Sequence, residues 1–301
     1  MTGPRRRLLI VTADDFGLTE GANAGILRAH ETGVLTATTV LVNGLAAEAA
    51  GGLARAWPGL DVGLHVNLTL GTPSADASRV RSLLGPDGRL LPASELLPRA
   101  LRRRVRGEEV RREVEAQIRR LRALGVEPTH WDAHQQAAFM PGLLGPTAAA
   151  AWDAGLRRAR TPRMLAVAAP SDGGAGRRRR ARHPARAVKD LYRAAAARRL
   201  ARRFATPAWQ VGPDMVRGGD PLERRWEVLL AGPPAGVTEA VSHPAVVDDQ
   251  LRALVPDFAD RRATDLAVLA DPSLPDRLRD AGIAVIGFRD LPARGGVRTP
   301  R

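Results

Sequence analysis

The chain has 301 residues and only six histidines: His30, His65, His130, His134, His183 and His243. Three of these follow apolar, strand-like runs. His65 lies in Val62-Gly63-Leu64-His65-Val66, His134 ends Thr129-His130-Trp131-Asp132-Ala133-His134, and His243 follows Val237–Ser242 and precedes Pro244. The adjacent carboxylates Asp14 and Asp15 follow another such run, Leu8–Val11. Imidazole nitrogen and carboxylate oxygen are ordinary ligands for zinc and for other first-row metals. One carboxylate and two histidines leave coordination positions open for water and substrate. A second carboxylate beside them can act as general base on water at the metal.

Each residue also has a plainer reading. Adjacent aspartates commonly make a solvated turn or a helix cap. A lone histidine at a strand end is more often a hydrogen-bonded structural residue. His30, on a helix, and His183, among arginines, belong to that class. The spacing from Asp15 to His65 to His134 is not by itself a metal signature.

A shared site requires elements that bring these residues together. A helix should follow Gly17, with Thr19 as its N-cap and Gly33 after its last turn. Thr36–Val42 is rich in β-branched residues and reads as a strand, Leu45–Ala56 as a helix, and Asp61–Leu68 as a third strand. Residues 71–107 carry several prolines and glycines and read as a loop-rich insertion. Glu109–Leu124 has the apolar stripe of an amphipathic helix. A short strand should run to Asp132, a helix should span about 143–154, and Leu156–Arg160 reads as another strand. Val188–Phe204 reads as an arginine- and alanine-rich helix within a basic loop-and-helix segment, 171–204. Later elements are a helix near Leu222–Leu230, a strand Val237–Ser242, a helix near Asp260–Leu269 and a last strand Ala284–Phe288. Alternating strands and helices predict an α/β fold with a parallel sheet, open or closed into a distorted (β/α)-barrel-like form, in one domain over 1–301. Functional groups gather at the carboxyl ends of parallel strands, so the four polar clusters should converge.

Composition removes several classes of function. Cysteine is absent, which excludes disulfides, thiolate metal sites and cysteine nucleophiles. No apolar run approaches the ~20 residues of a membrane helix. Arg5–Arg7 precede an apolar run that Asp14 and Asp15 interrupt too early for a secretory signal, so the cytoplasm is the expected compartment. The net charge is +14, and residues 156–203 carry 16 basic and 2 acidic residues. That stretch reads as a surface-exposed, arginine-rich region lying apart from the site candidates. It holds few aromatics for base stacking, which argues against a nucleic-acid partner.

Leu9-Ile10-Val11-Thr12-Ala13-Asp14-Asp15-Phe16-Gly17, followed by Asn23, resembles the opening motif of the YdjC-like carbohydrate deacetylases. That family includes chitooligosaccharide and hopanoid-associated deacetylases. Similarity continues in Gly33–Thr38, in Val42–Gly44 and in Gly63-Leu64-His65-Val66-Asn67-Leu68-Thr69-Leu70-Gly71-Thr72-Pro73. It returns in His130–Gln135 up to Pro141, in Ser242-His243-Pro244 and in the tail from Gly282 to Leu291. The resemblance implies a barrel-like fold and one divalent metal, magnesium or zinc, held by Asp15, His65 and His134. It implies Asp14 as general base and His243 as general acid. Asn67, Thr69 and Asp132 would orient ligands or touch substrate. Phe16 and Gly17 would shape the turn. Members often carry further histidines where this chain has Gln135, Gln136, Ala137 and Ala138.

The implied activity is removal of an N-acetyl group from an amino sugar or oligosaccharide. Three other readings stand beside it. One is a metal-dependent hydrolase or isomerase acting on another small polar substrate. Another is a binder of nucleic acid or an anionic surface through 156–203. The third is a family member that has lost activity. A homo-oligomer is left open.

Overall fold

The computed structural model describes residues 6–168, 184–217 and 220–292. In chain order its regular elements are β1 (Arg7–Phe16), α1 (Glu20–Glu31), β2 (Ala37–Val40), α2 (Ala47–Ala56), β3 (Asp61–Val66), α3 (Ala93–Leu101), α4 (Gly107–Ala123), β4 (Trp131–Ala133) and α5 (Leu144–Asp153). There follow β5 (Val167–Ala168), α6 (Pro184–Leu200), β6 (Trp209–Val211), β7 (Val216–Arg217), α7 (Leu222–Ala231), β8 (Gly236–Ser242), α8 (Asp249–Leu254), α9 (Ala259–Leu269), α10 (Leu274–Asp280) and β9 (Ile283–Val285). The basic loop Ser171–Gly176, the run Arg177–Arg180 and His183 lie outside the described residues.

The main sheet runs β4-β3-β2-β1-β8-β6, and every pairing in it is parallel. β1 is central and apolar on both faces. Leu9, Val11 and Ala13 enter the main core, whereas Ile10 joins Ala37, Phe288 and Leu291 on the other face. A strand covered on both sides reads as a continuous apolar run, which is why Leu8–Val11 is legible without alternation. β9 pairs with the start of β1, Arg7–Leu9, on the edge that β2 occupies further along.

The sheet curls. The stretch 157–165 bridges its two edges, pairing with Trp131 on one side and with Ala205 and Gln210 on the other. The result is a distorted, half-open (β/α)-barrel of parallel strands wrapped in helices. The predicted strand Leu156–Arg160 is this closing segment, held by single bridges rather than a ladder.

Several elements differ from the sequence expectation. Within 71–107 the chain makes short 3₁₀ turns and then α3, and Val80, Leu83, Leu90, Leu91 and Leu96 are buried in the main core. Pro98 sits inside α3 and disguises it, because proline normally breaks a helix. α6 begins earlier than the predicted Val188 and ends at Leu200. It docks through buried Ala196, Ala197 and Leu200, and Tyr192 donates a hydrogen bond to the Phe139 carbonyl at 2.9 Å. The short elements β5, β6, β7, α8 and α10 carry too few residues to show a period.

The turn after β1 matters most. Thr19 caps α1 as expected, accepting from the Ala22 N–H at 3.1 Å. Asn23, in the first turn of α1, accepts from the Gly17 N–H at 2.7 Å and donates to the Ala46 carbonyl at 3.2 Å. Gly17 has φ 92° and Asp15 has φ 68°. The register between β1 and β2 shifts between Ala13 and Phe16. This bulge lets two consecutive aspartates point the same way, where a regular strand would split them between faces.

Candidate metal centre and active site

The carboxyl ends of β1, β3, β4 and β8 open on one cleft of about 510 Å³. It is lined by Asp14, Asp15, His65, His134 and His243 among others. The expected convergence therefore occurs.

His65 on β3 is in register with Asp132 on β4. Its Nδ1 donates to Asp132 Oδ1 at 2.6 Å and lies 3.0 Å from Thr39 Oγ1. Thr39 in turn donates to Asp132 Oδ2 at 3.1 Å. Asp132 Oδ1 accepts from Nδ1, so Nδ1 carries a proton and Nε2 is turned to the cleft. His65 Nε2 lies 3.3 Å from Asp15 Oδ1 and 3.3 Å from His134 Nδ1. His134 Nδ1 lies 3.1 Å from the same Asp15 oxygen. These three atoms form a nearly equilateral triangle. Neighbouring ligands of an ion with ~2.1 Å bonds sit roughly 3.0–3.4 Å apart, so the triangle fits a small divalent cation. Asp14, His65 and Asp132 make a second, overlapping cluster. His134 Nε2 is buried without a partner. The residues present thus suit a single divalent ion by donor type, spacing and burial.

Asp14 stands beside the triangle, its Oδ2 4.0 Å from His65 Nε2 and 3.9 Å from His243 Nε2. Arg160 grips both its oxygens, at 2.7 and 2.8 Å. The same guanidinium reaches Asp132 Oδ2 at 2.8 Å and Glu239 Oε1 at 2.8 Å. Arg160 is fully buried. The sequence expectation put it in a surface-exposed basic region away from the site, and this is corrected: barrel closure carries 157–165 across the interior. Arg157 and Arg163 nearby stack on Trp152 and Trp209.

Burial alone would raise the pKa of Asp14, but the charges of Arg160 and His65 outweigh it and hold it down to about 2. Asp15 is likewise buried, yet the charge of Arg262 and the hydrogen bond from His134 hold it well below the usual range. His65 moves the other way. Burial disfavours its charge, but Asp132 and Asp14 push its pKa up to about 10. Asp14 and Asp15 lie on its Nε2 side, where a cation would take the place of the Nε2 proton, and Asp132 lies on its Nδ1 side. Glu239 is raised by burial against the pull of Arg160, and its Oε2 has no partner.

His243 follows β8 with a partly exposed ring, and burial followed by the charge of Arg262 lowers its pKa. Its backbone N–H donates to Asp265 Oδ2 at 2.9 Å, and Trp226 donates to Asp265 Oδ1 at 2.7 Å.

Asn67 and Thr69 sit in the loop after β3. Asn67 Oδ1 accepts from the N–H groups of Thr69 and Leu70, each at 3.0 Å, and its amide donates to Asn43 at 2.8 Å. Gln135 and Gln136 follow His134 with φ 50° and 59°, and Gln136 pairs with the buried amide of Gln210 at 3.2 Å. His130 is stacked on Phe288 at 3.7 Å and His30 meets Trp57 edge-on, so neither faces the cleft.

Arg160, Glu239, Arg262, Asp265 and Thr39 are site residues that sequence reasoning missed. Glu239 left a signal, a carboxylate inside an apolar strand. Arg262 and Asp265, three apart on a helix, left a weaker one.

A sequence profile described as YdjC-like protein matches residues 8–280. A carbohydrate deacetylase of Geobacillus stearothermophilus is 31% identical over 286 residues, 95% of this chain and 98% of that protein. A chitooligosaccharide deacetylase of Salmonella typhimurium is 40% identical over 138 residues, 45% of this chain and 52% of its own length. A solved structure from Enterococcus faecalis V583, named as a proposed cellobiose-phosphate cleavage protein, superposes with a TM-score of 0.70 at 23% identity. It covers 95% of this chain and 99% of that one, a likeness of fold. With the family profile spanning nearly the whole chain and a near-full-length relative sharing its sequence, this protein belongs to the YdjC-like family.

Proposed function

We propose that this protein is a metal-dependent hydrolase that removes the N-acetyl group from an amino sugar or a short oligosaccharide. The observation that carries the reading is the Asp15–His65–His134 triangle with a second, ionised carboxylate, Asp14, beside it. The names of the relatives supply the substrate class. The family match over 8–280 supports reading the chain as one such domain. The cytoplasm is the proposed compartment, since the first apolar run is a buried central strand. Among the described residues no helix is long and apolar enough to cross a membrane.

The reaction breaks the amide C–N bond, forms a C–O bond to the water oxygen, and yields acetate and a free amine. A divalent ion held by Asp15, His65 and His134 would polarise the amide carbonyl and acidify water. Asp14 is the group placed to take the water proton. Arg160 keeps it ionised and aims it, because both of its oxygens are tied to one rigid fork. His243 is the group placed to protonate the departing nitrogen. It rests neutral at pH 7, since its pKa is lowered. The proton it delivers is therefore gained during the reaction, and Asp14 Oδ2, 3.9 Å away, is the nearest carboxylate source. Asp265 fixes the main chain from which the His243 ring projects. Asp132 and Thr39 hold His65 in the tautomer that offers Nε2 to the ion.

The cleft volume is ordinary for a small-molecule site. Its wall combines the amides of Gln135 and Gln136 with the apolar Leu70, Met215 and Phe258. The test is metal content together with acetate release across a panel of N-acetylated sugars, other amides and esters. Acetate from N-acetylglucosamine oligomers, lost on chelation and restored by metal, is expected. Stoichiometric metal with no turnover on any acetylated sugar would favour an inactive member or another substrate.

A further inference from the structure

Arg262 lies on α9 and is only 4% exposed. Its Nη2 donates to Asp15 Oδ2 at 2.6 Å, while its Nε and Nη1 are buried without partners. A half-satisfied guanidinium is costly to bury, and a cation beside a metal ligand opposes binding of the metal. Asp15 itself has a positive φ of 68°, a conformation uncommon for non-glycine residues but accessible to aspartate. With Oδ2 occupied by Arg262, Oδ1 alone faces His65 Nε2 and His134 Nδ1. The carboxylate can therefore give one oxygen to an ion, not two.

The charge inventory points the same way. Asp14, Asp15 and Asp132 surround the ligand atoms, and Arg160 and Arg262 pair with them. Much of the negative charge that would neutralise a divalent ion is thus already committed. α9 also fastens the opposite side of the cleft. The Arg262 carbonyl accepts from the Ala245 N–H at 3.2 Å, and Asp265, almost one turn on, takes the His243 N–H.

We propose that Arg262 is a positioning residue that holds Asp15 as a one-oxygen ligand and leaves the bound ion under-neutralised, exchanging metal affinity for electrophilic strength. The proposal rests on the deacetylase reading for its rate effect, but not for its effect on metal binding. By Coulomb's law, removing a buried like charge beside the ligand should strengthen cation binding.

The experiment compares wild type with Arg262→Gln and Arg262→Lys after chelator stripping. Zinc is titrated calorimetrically, and acetate release from an N-acetylglucosamine oligomer is measured in the reloaded proteins. Arg262→Gln should bind zinc about ten- to a hundred-fold more tightly. It should release acetate at least ten-fold more slowly at saturating substrate, with KM little changed. Arg262→Lys keeps the charge and should bind zinc nearly as wild type does. Thermal melting checks the fold, and Arg262→Met, neutral and of similar volume, replaces the glutamine variant if that fails to fold. Zinc affinity that is unchanged or weaker in the neutral variant overturns the proposal and leaves Arg262 a structural tie. If wild type binds zinc but hydrolyses no N-acetyl sugar, the substrate reading fails, and the zinc titration still decides the role of Arg262.

Discussion

Arg160 holds Asp14 by two parallel hydrogen bonds of 2.7 and 2.8 Å across 146 residues of sequence. Asp14 lines the cleft beside the ligand triangle, and Arg160 is buried behind it. An ion pair of this geometry fixes both the direction and the charge of the carboxylate. Asp14→Asn keeps the shape and removes the base. Acetate release should fall by about two to four powers of ten with metal content unchanged. Undiminished turnover in the Asp14→Asn enzyme would remove Asp14 from the mechanism.

The same pair sets a pH response. Asp14 has a folded pKa of about 2, below its ordinary value of 3.8. Its contribution to stability is therefore present above pH ~4 and is lost as the pH falls through ~2. Linkage puts this on the order of 2 kcal/mol. Denaturant melts of the metal-free protein between pH 2 and 5 should show a shallower dependence for Asp14→Asn than for wild type. Equal slopes would mean that the carboxylate is not held ionised.

Arg160 itself is the larger structural risk. It serves Asp14, Asp132 and Glu239 at once with no exposure. Arg160→Met would leave these carboxylates without their shared cation, at a cost of about 3–5 kcal/mol. Added zinc should recover part of the loss in melting temperature, because the ion supplies charge to the same cluster. A variant as stable as wild type would show that the network is not charge-balanced by Arg160.

Gly25 tests the packing that places His243. A Cβ there would lie 2.3 Å from the Ala245 Cα, a backbone atom that cannot yield alone. Gly25→Ala must push α1 away from the segment carrying His243 and Pro244. Destabilisation of about 1–3 kcal/mol is expected, with a drop in kcat and retained metal affinity. Metal loss in step with kcat would place the disturbance at Asp15 rather than at His243.

Gln136 presents an amide to the cleft while tied to buried Gln210. Gln136→Ala should raise KM for an N-acetyl sugar by several-fold while leaving metal affinity in place. A calorimetric zinc titration beside the kinetics separates a substrate contact from a collapse of the His134 loop.

The sequence alone determined most of the longer strands and helices and the polar residues at the strand ends. Asp14, Asp15, His65, His134 and His243 are legible because each interrupts or ends an apolar run, a local pattern. Thr19 as cap is legible from its place before the first helix, and Gly17 as turn residue from the family resemblance. α3 was hidden by Pro98, and the short elements by their brevity. The tertiary structure alone decided the partners: Arg160 on Asp14, and Arg262 on Asp15 across 247 residues. In the sequence, an arginine among arginines looks like solvated surface. Only closure of the barrel shows which guanidinium is buried, because burial and pairing depend on contacts between distant strands and not on neighbours in the chain.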